Sequence, residues 1–251
     1  MQNAMQEAMT DGAPSNGCQM NSDFKALHED LYREVHQYWE NKRHVLPRTW
    51  DLRFGIFYSP IQNRPTLMII GANPGFDTDD DTKCPPRKNL FYEWPPPDGR
   101  KKEHWEIARV LRNFFRQDHH EEILHYSVVT NLLFFKSRCL GRDAKTCQGW
   151  RDNGNAKDRH EIEDYCRDKV REIVRRLDPT RILALGMATW DKLAEGQVRL
   201  LVVRPKRNVR LAVMGTIFNK DALGIIHPTG ARISHDECGE IAEHLAEFLR
   251  N

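Results

Sequence analysis

The chain has 251 residues, of which 39% are hydrophobic and 29% charged, with a formal net charge of +2. That is enough chain for one α/β domain with a full core, and too apolar a composition for intrinsic disorder. The near-neutral balance announces no nucleic-acid partner by itself, no apolar run approaches the roughly 18 residues that would cross a membrane, and scattered cysteines without a CxxC pair or secretion-type leader point to a reducing cytoplasm.

Residues 1–20 mix Gln, Asn, Ser, Gly and Met without periodicity and read as a flexible N-terminal tail, leaving 21–251 as a single domain. Phe24, Leu27, Leu31, Val35 and Tyr38 recur at helical intervals and predict an amphipathic helix over 23–41. A buried strand follows over 66–70, closed by Gly71, then a polar and proline-rich excursion over 77–100. Ile107, Val110, Leu111, Phe114 and Phe115 give one face of a helix over 102–116, and a second apolar strand covers 126–133. The unit then repeats, with a helix over 161–177 ended by Asp178-Pro179 and a strand over 181–186. A short helix over 188–194, strands near 198–203, 210–214 and 223–226, and a helix over 234–249 complete the chain, with Ser234 and Glu237 spaced as a capping box. This βα alternation predicts a three-layer α/β/α sandwich around a central, mostly parallel four-stranded sheet. The ligand crevice of such a sheet lies at the carboxyl ends of its strands.

Three strand ends at that edge carry polar side chains: Asn73 in Gly71-Ala72-Asn73-Pro74-Gly75-Phe76, Asn131 in Val128-Val129-Thr130-Asn131, and His227 in His227-Pro228-Thr229-Gly230. In this order and spacing the motifs resemble those of the uracil-DNA glycosylase superfamily, in its mismatch-specific and single-strand-selective branches. GANPGF is similar to the family's GxNPG, HPTGARIS to its HP[ST] and following loop, and VVTNLLFFKSR to the strand bearing the base-reading asparagine. The resemblance spans about residues 66–234 and implies a uracil-DNA glycosylase-like fold. It further implies a repair enzyme that hydrolyses the N-glycosidic bond of a flipped deaminated base, most simply uracil, in single- or double-stranded DNA and leaves an abasic site.

The residue types suit that chemistry. Breaking the bond between sugar and base leaves negative charge on the base, which a fixed donor such as His227 would meet. Asn73 would align the attacking water through its side-chain carbonyl, with Pro74 and Gly75 holding the turn and approaching the DNA. Asn131 offers both a donor and an acceptor, which matches the uracil edge and opposes cytosine. Gly71 and Ala72 would line the base pocket, and Phe91 is the expected stacking aromatic, with Phe76 and Tyr92 as alternatives. Thr229 and Gly230 suit a phosphate grip, and Arg232 and Ile233 occupy the place of the family's wedge.

Basic residues cluster in sequence near this mouth: Lys136, Arg138, Arg142 and Lys145 after one strand, and Arg199, Arg204, Lys206, Arg207 and Arg210 in another segment. Trp150, in polar surroundings, is a further candidate nucleic-acid contact. The run Asp77, Asp79, Asp80 and Asp81 reads as a solvated loop facing away from DNA. The histidines His104, His119, His120 and His125 have no convergent ligand spacing, so neither metal nor cofactor is expected, and the family's iron–sulfur framework is missing. The enzyme is expected to be monomeric. The alternative reading is a non-catalytic nucleic-acid-binding protein on the same scaffold, in defence or regulation; a nucleotide-binding domain fits less well, because GxGxxG and Gly-Lys-Ser motifs are lacking.

Overall fold

The computed structural model of the chain describes residues 22–48, 53–73, 89–92, 106–116, 120–204, 207–229 and 233–250. The expected tail over 1–20 and the acidic run around Asp79 lie outside them, as do Pro74, Gly75, Phe76, Gly230 and Arg232.

The first strand, β1 (Leu67–Gly71), is buried at every position, as a strand covered on both faces must be. Its side chains alternate between two cores. Met68 and Ile70 join Leu27, Leu31 and Val35 of α1 (Ser22–Asn41) and Ile162, Val170 and Ile173 of α4 (Ala156–Leu177). Leu67 and Ile69 join Leu111 and Phe114 of α2 (Glu106–Phe115) and Ile241 and Leu245 of α6 (His235–Arg250) on the other side. Helices therefore cover both faces of the sheet, and no helix among the described residues is long and apolar enough to cross a membrane.

The remaining strands are β2 (Val128–Asn131), β3 (Arg181–Leu185), β4 (Ala194–Arg204), β5 (Val209–Ile217) and β6 (Lys220–Ile225). The shorter helices are α3 (Glu121–His125) before β2, α5 (Met187–Leu193) after β3, and a 3-10 turn over Trp150–Asp152 before α4. The sheet is six-stranded and mixed, in the order β2-β1-β3-β6-β5-β4, rather than the expected four-stranded, mostly parallel one. β2, β1, β3 and β6 pair in parallel, whereas β5 pairs antiparallel with both β6 and β4. Loop length explains the difference. Ile217 and Lys220 pair directly across Phe218 and Asn219, whose φ values of 50° and 62° are those of a tight hairpin turn, too short for a parallel crossover.

The two rims of the sheet are built differently. Beside β2 the segment before β1 runs antiparallel, with bridges Phe57 to Thr130 and Phe54 to Phe135, and Thr130 Oγ1 donates to Ile56 O at 2.6 Å. At the opposite rim β4 is largely exposed, and its register against β5 shifts between Glu195 and Arg199, Leu200 and Val202, and Val202 and Val203.

Helix boundaries follow from local chemistry. Asn155 caps α4, its side chain accepting the Asp158 N–H at 3.0 Å, and Asp178 ends it in the left-handed region at φ 49°. At α6 the expected capping box is present: Glu237 N–H donates to Ser234 Oγ at 3.2 Å and Ser234 N–H to Glu237 Oε2 at 2.8 Å. Arg204, at the end of β4, grips the same carboxylate with two bonds of 2.7 and 2.8 Å. This pair and the cap hold Glu237 at a pKa of about 2 and fix the far end of the loop that begins at His227.

Candidate functional site at the carboxyl edge of the sheet

Parallel pairing brings three of the motif residues to one edge. Gly71 and Asn131 are register partners on β1 and β2, and the pairing continues beyond them, with Leu132 N–H donating to Gly71 O at 2.8 Å and Leu133 N–H to Ala72 O at 2.9 Å. Asn131 is only 3% exposed, and its amide has no hydrogen-bond partner among the described residues. Its polar atoms are not among those sealed from solvent without a partner, so the amide keeps an edge at which a polar ligand or water can meet it. Gly71 makes room for it: a Cβ there would stand 2.2 Å from Asn131 Oδ1.

Two residues beyond Gly71, the Asn73 amide is oriented by Ser137, which lies past the end of β2. Asn73 Nδ2 donates to Ser137 O at 2.8 Å and to Ser137 Oγ at 2.9 Å, and the Ser137 hydroxyl can pass its own proton to Cys139 O at 3.2 Å. Ser137 is fully buried, so the relay is shielded from competing water.

His227 follows β6 and stands beside Gly186, the residue just after β3. Gly186 has φ 96°, which disfavours any side chain, and a Cβ there would lie 3.6 Å from His227 Cβ. Burial of the ring lowers the His227 pKa from its ordinary 6.5, favouring the neutral imidazole. Its Nδ1 lies 3.4 Å from Thr229 N and 3.3 Å from Thr229 Oγ1. A backbone N–H can only donate, so Nδ1 accepts and the ring proton belongs on Nε2. β1 and β6 both neighbour β3, so the strands that lead to Asn73 and His227 run two interstrand spacings, roughly 10 Å, apart. Ala72 also lines a cavity of about 120 Å³ with Leu133, Trp150, Arg151 and Thr189.

Other expected contacts are placed differently. Phe91 is half-buried, its backbone N–H held by Asn89 Oδ1 at 2.9 Å and its ring 6.5 Å from that of Tyr58 within the α2/α6 core. Ile233 is half-buried against that same core. Trp150 is no surface platform: it is 2% exposed and its Nε1 donates to Glu163 at 2.7 Å. Lys136 is also buried, while Arg204 and Arg210 are paired with Glu237 and Asp191, so these cations are committed within the fold. Among the described residues no three His, Cys, Asp or Glu side chains gather where a metal ion could be held.

Sequence reading missed Ser137 and Gly186. Ser137 was masked by its cationic neighbours Lys136 and Arg138; Gly186 carries the same signal as Gly71, a glycine closing a buried strand. No family model matches the chain, and no curated protein is similar to it in sequence.

Proposed function

We propose that this protein is a monofunctional DNA N-glycosylase that excises a flipped deaminated base, uracil in the first instance. The observation that carries the reading is Asn131: a register-locked amide, 3% exposed and with no described partner, at the same sheet edge as an oriented Asn73 after the adjoining β1 and a His227 after β6 whose burial favours the neutral ring. In the reaction the bond from C1′ to the base nitrogen breaks and its electron pair leaves with the base. The Nε2–H of His227 donates to the base oxygen on which that charge accumulates, at a site where the donor need not reorganise. Water then bonds to C1′ and releases its proton to solvent. Asn73 cannot serve as a strong base, but the end of its amide opposite Nδ2 is an acceptor that can align this water, and an electron-poor sugar needs orientation more than deprotonation. Asn131 reads the base by pairing with one donor and one acceptor on its edge, and a base with the reversed pattern leaves buried groups unpaired.

The test is incubation with a uracil-containing oligonucleotide, single- and double-stranded, followed by alkaline strand cleavage, with hypoxanthine and xanthine substrates alongside. Cleavage at uracil is expected, and an intact strand with all three bases removes the proposal.

A further inference from the structure

Outside this site the described residues form a larger cleft, of about 420 Å³, in which four arginines converge: Arg48, Arg142, Arg151 and Arg159. They come from three separate stretches of chain: the segment after α1, the loop after β2, and the first turn of α4. Asp152 is the one acid of the lining, and its Oδ2 is occupied by the N–H groups of Asp143 and Gly149 at 2.8 and 2.9 Å. No carboxylate among the described residues pairs with any of the four guanidinium groups. Elsewhere the fold pairs cations closely, as with Arg204 to Glu237 and Arg210 to Asp191. Four unneutralised cations facing one space repel one another unless an anion is drawn in.

The cleft is also held in shape. Arg159 Nη1 donates to Asn153 O at 2.6 Å and Gly154 O at 2.7 Å, and Arg48 N–H donates to Asn153 Oδ1 at 3.2 Å. Arg151 N–H is bound to Gly141 O at 3.0 Å, which ties the two ends of the loop carrying Arg142. The positive end of the 22-residue α4 opens on the cleft at Asn155 and Ala156. Planar guanidinium forks, several at once and joined by a helix N-terminus, match an anion with three or four acceptor oxygens better than a single carboxylate.

We propose that this cleft is a phosphate-binding site. Two sources supply that chemistry, the backbone of a nucleic-acid strand and the phosphate of a free ester. Arg151 lines both this cleft and the small cavity at Ala72, so a strand seated in the candidate site has a path for its backbone into the arginines. The site does not depend on base excision, because phosphate capture is indifferent to what happens to a base.

The experiment uses the full chain, a fluorescent fifteen-nucleotide oligothymidylate, and thymidine monophosphate and inorganic phosphate as free ligands. The R142Q/R151Q variant and, separately, R48Q are compared with wild type; circular dichroism establishes that each is folded, and K25Q, which removes a distant charge on α1, is the control. If the strand is the ligand, oligothymidylate binding weakens in the arginine variants and the slope of log K against log salt falls by about 0.7 for each lost contact, while K25Q keeps the wild-type slope. If a free ester is the ligand, thymidine monophosphate or phosphate raises the melting temperature of wild type and K25Q but not of the arginine variants. Either result supports the site. Folded arginine variants that retain both the wild-type salt slope and any phosphate-induced shift overturn it. Oligothymidylate or phosphate binding by a wild-type protein that cleaves at none of uracil, hypoxanthine and xanthine would remove the glycosylase reading and leave this one standing.

Discussion

Gly71 and Asn131 face each other across β1 and β2 so closely that a single methyl group at position 71 would fall 2.2 Å from the Asn131 side-chain oxygen. Neither side can give easily, because both strands are buried along their whole length. Gly71→Ala is therefore expected to destabilise the fold by about 1–3 kcal/mol, as overpacked cores do. It should also displace the Asn131 amide. Gly141→Ala, where nothing lies within 4 Å of the added methyl, provides the contrast. Urea unfolding of the two variants measures the difference; equal stabilities would show that the Asn131 side chain swings aside at no cost.

Asn131 itself gives a sharper test. A structural asparagine loses hydrogen bonds when truncated, whereas this one has none to lose among the described residues. Asn131→Ala should change stability by less than about 1 kcal/mol while excision of uracil collapses. Substantial destabilisation with activity preserved would return Asn131 to a structural role.

The relay from Asn73 to Ser137 predicts non-additivity. Asn73→Ala removes the group proposed to align water and should nearly abolish turnover. Ser137→Ala removes one of two acceptors for Nδ2, leaving the Ser137 carbonyl, and should cost about 1 kcal/mol of activation free energy. In the double variant the Ser137 change should add almost nothing. Single-turnover rates of all four proteins decide the matter, and simple additivity would show that Ser137 does not act through Asn73.

His227 predicts two pH effects. Burial lowers its folded pKa below the ordinary 6.5, and His28 in the α1 core is lowered in the same direction. Below 6.5 the unfolded chain then binds more protons than the native one, so stability falls as the pH drops through 6.5 toward the depressed values. His227→Gln should flatten part of that fall, measured by denaturant midpoints across the range. The variant should also lose about 10²–10³ in rate, whereas the wild-type rate should show no break at 6.5.

Glu237 works in a lower window. Its pKa of about 2, against an ordinary 4.5, arises from the Arg204 fork and the Ser234 cap. The folded value is depressed, so its stabilisation is present above 4.5 and is lost as the pH falls toward 2. Glu237→Gln should make melting temperature less dependent on pH in that interval. Because both side chains of the pair keep some contact with solvent, the difference should shrink in high salt.

Much of this arrangement is legible along the chain. Unbroken apolar runs such as Leu67 to Ile70 announce buried strands, and the polar residues that follow them at proline turns announce an edge. The start of α4 is less visible, because Ala156 to His160 place no apolar periodicity in its first turn and only the Asn155 cap marks it. The mixed sheet is hidden for a related reason: the tight turn is made by Phe218 and Asn219, without the glycine that usually signals a hairpin. Ser137 and Gly186 acquire their meaning only once strands distant in sequence are laid side by side.

The irregular rim at β4 has a consequence for how these molecules behave in a crowd. A flat strand of 11 residues at the margin of a sheet offers a row of unpaired amides on which a second chain can grow, and Val198 and Leu200 would reward the contact. Three slips of register, together with Arg199 on the same strand, interrupt that row. The imperfection that spoils the regular ladder is thus a guard against fibrous self-association.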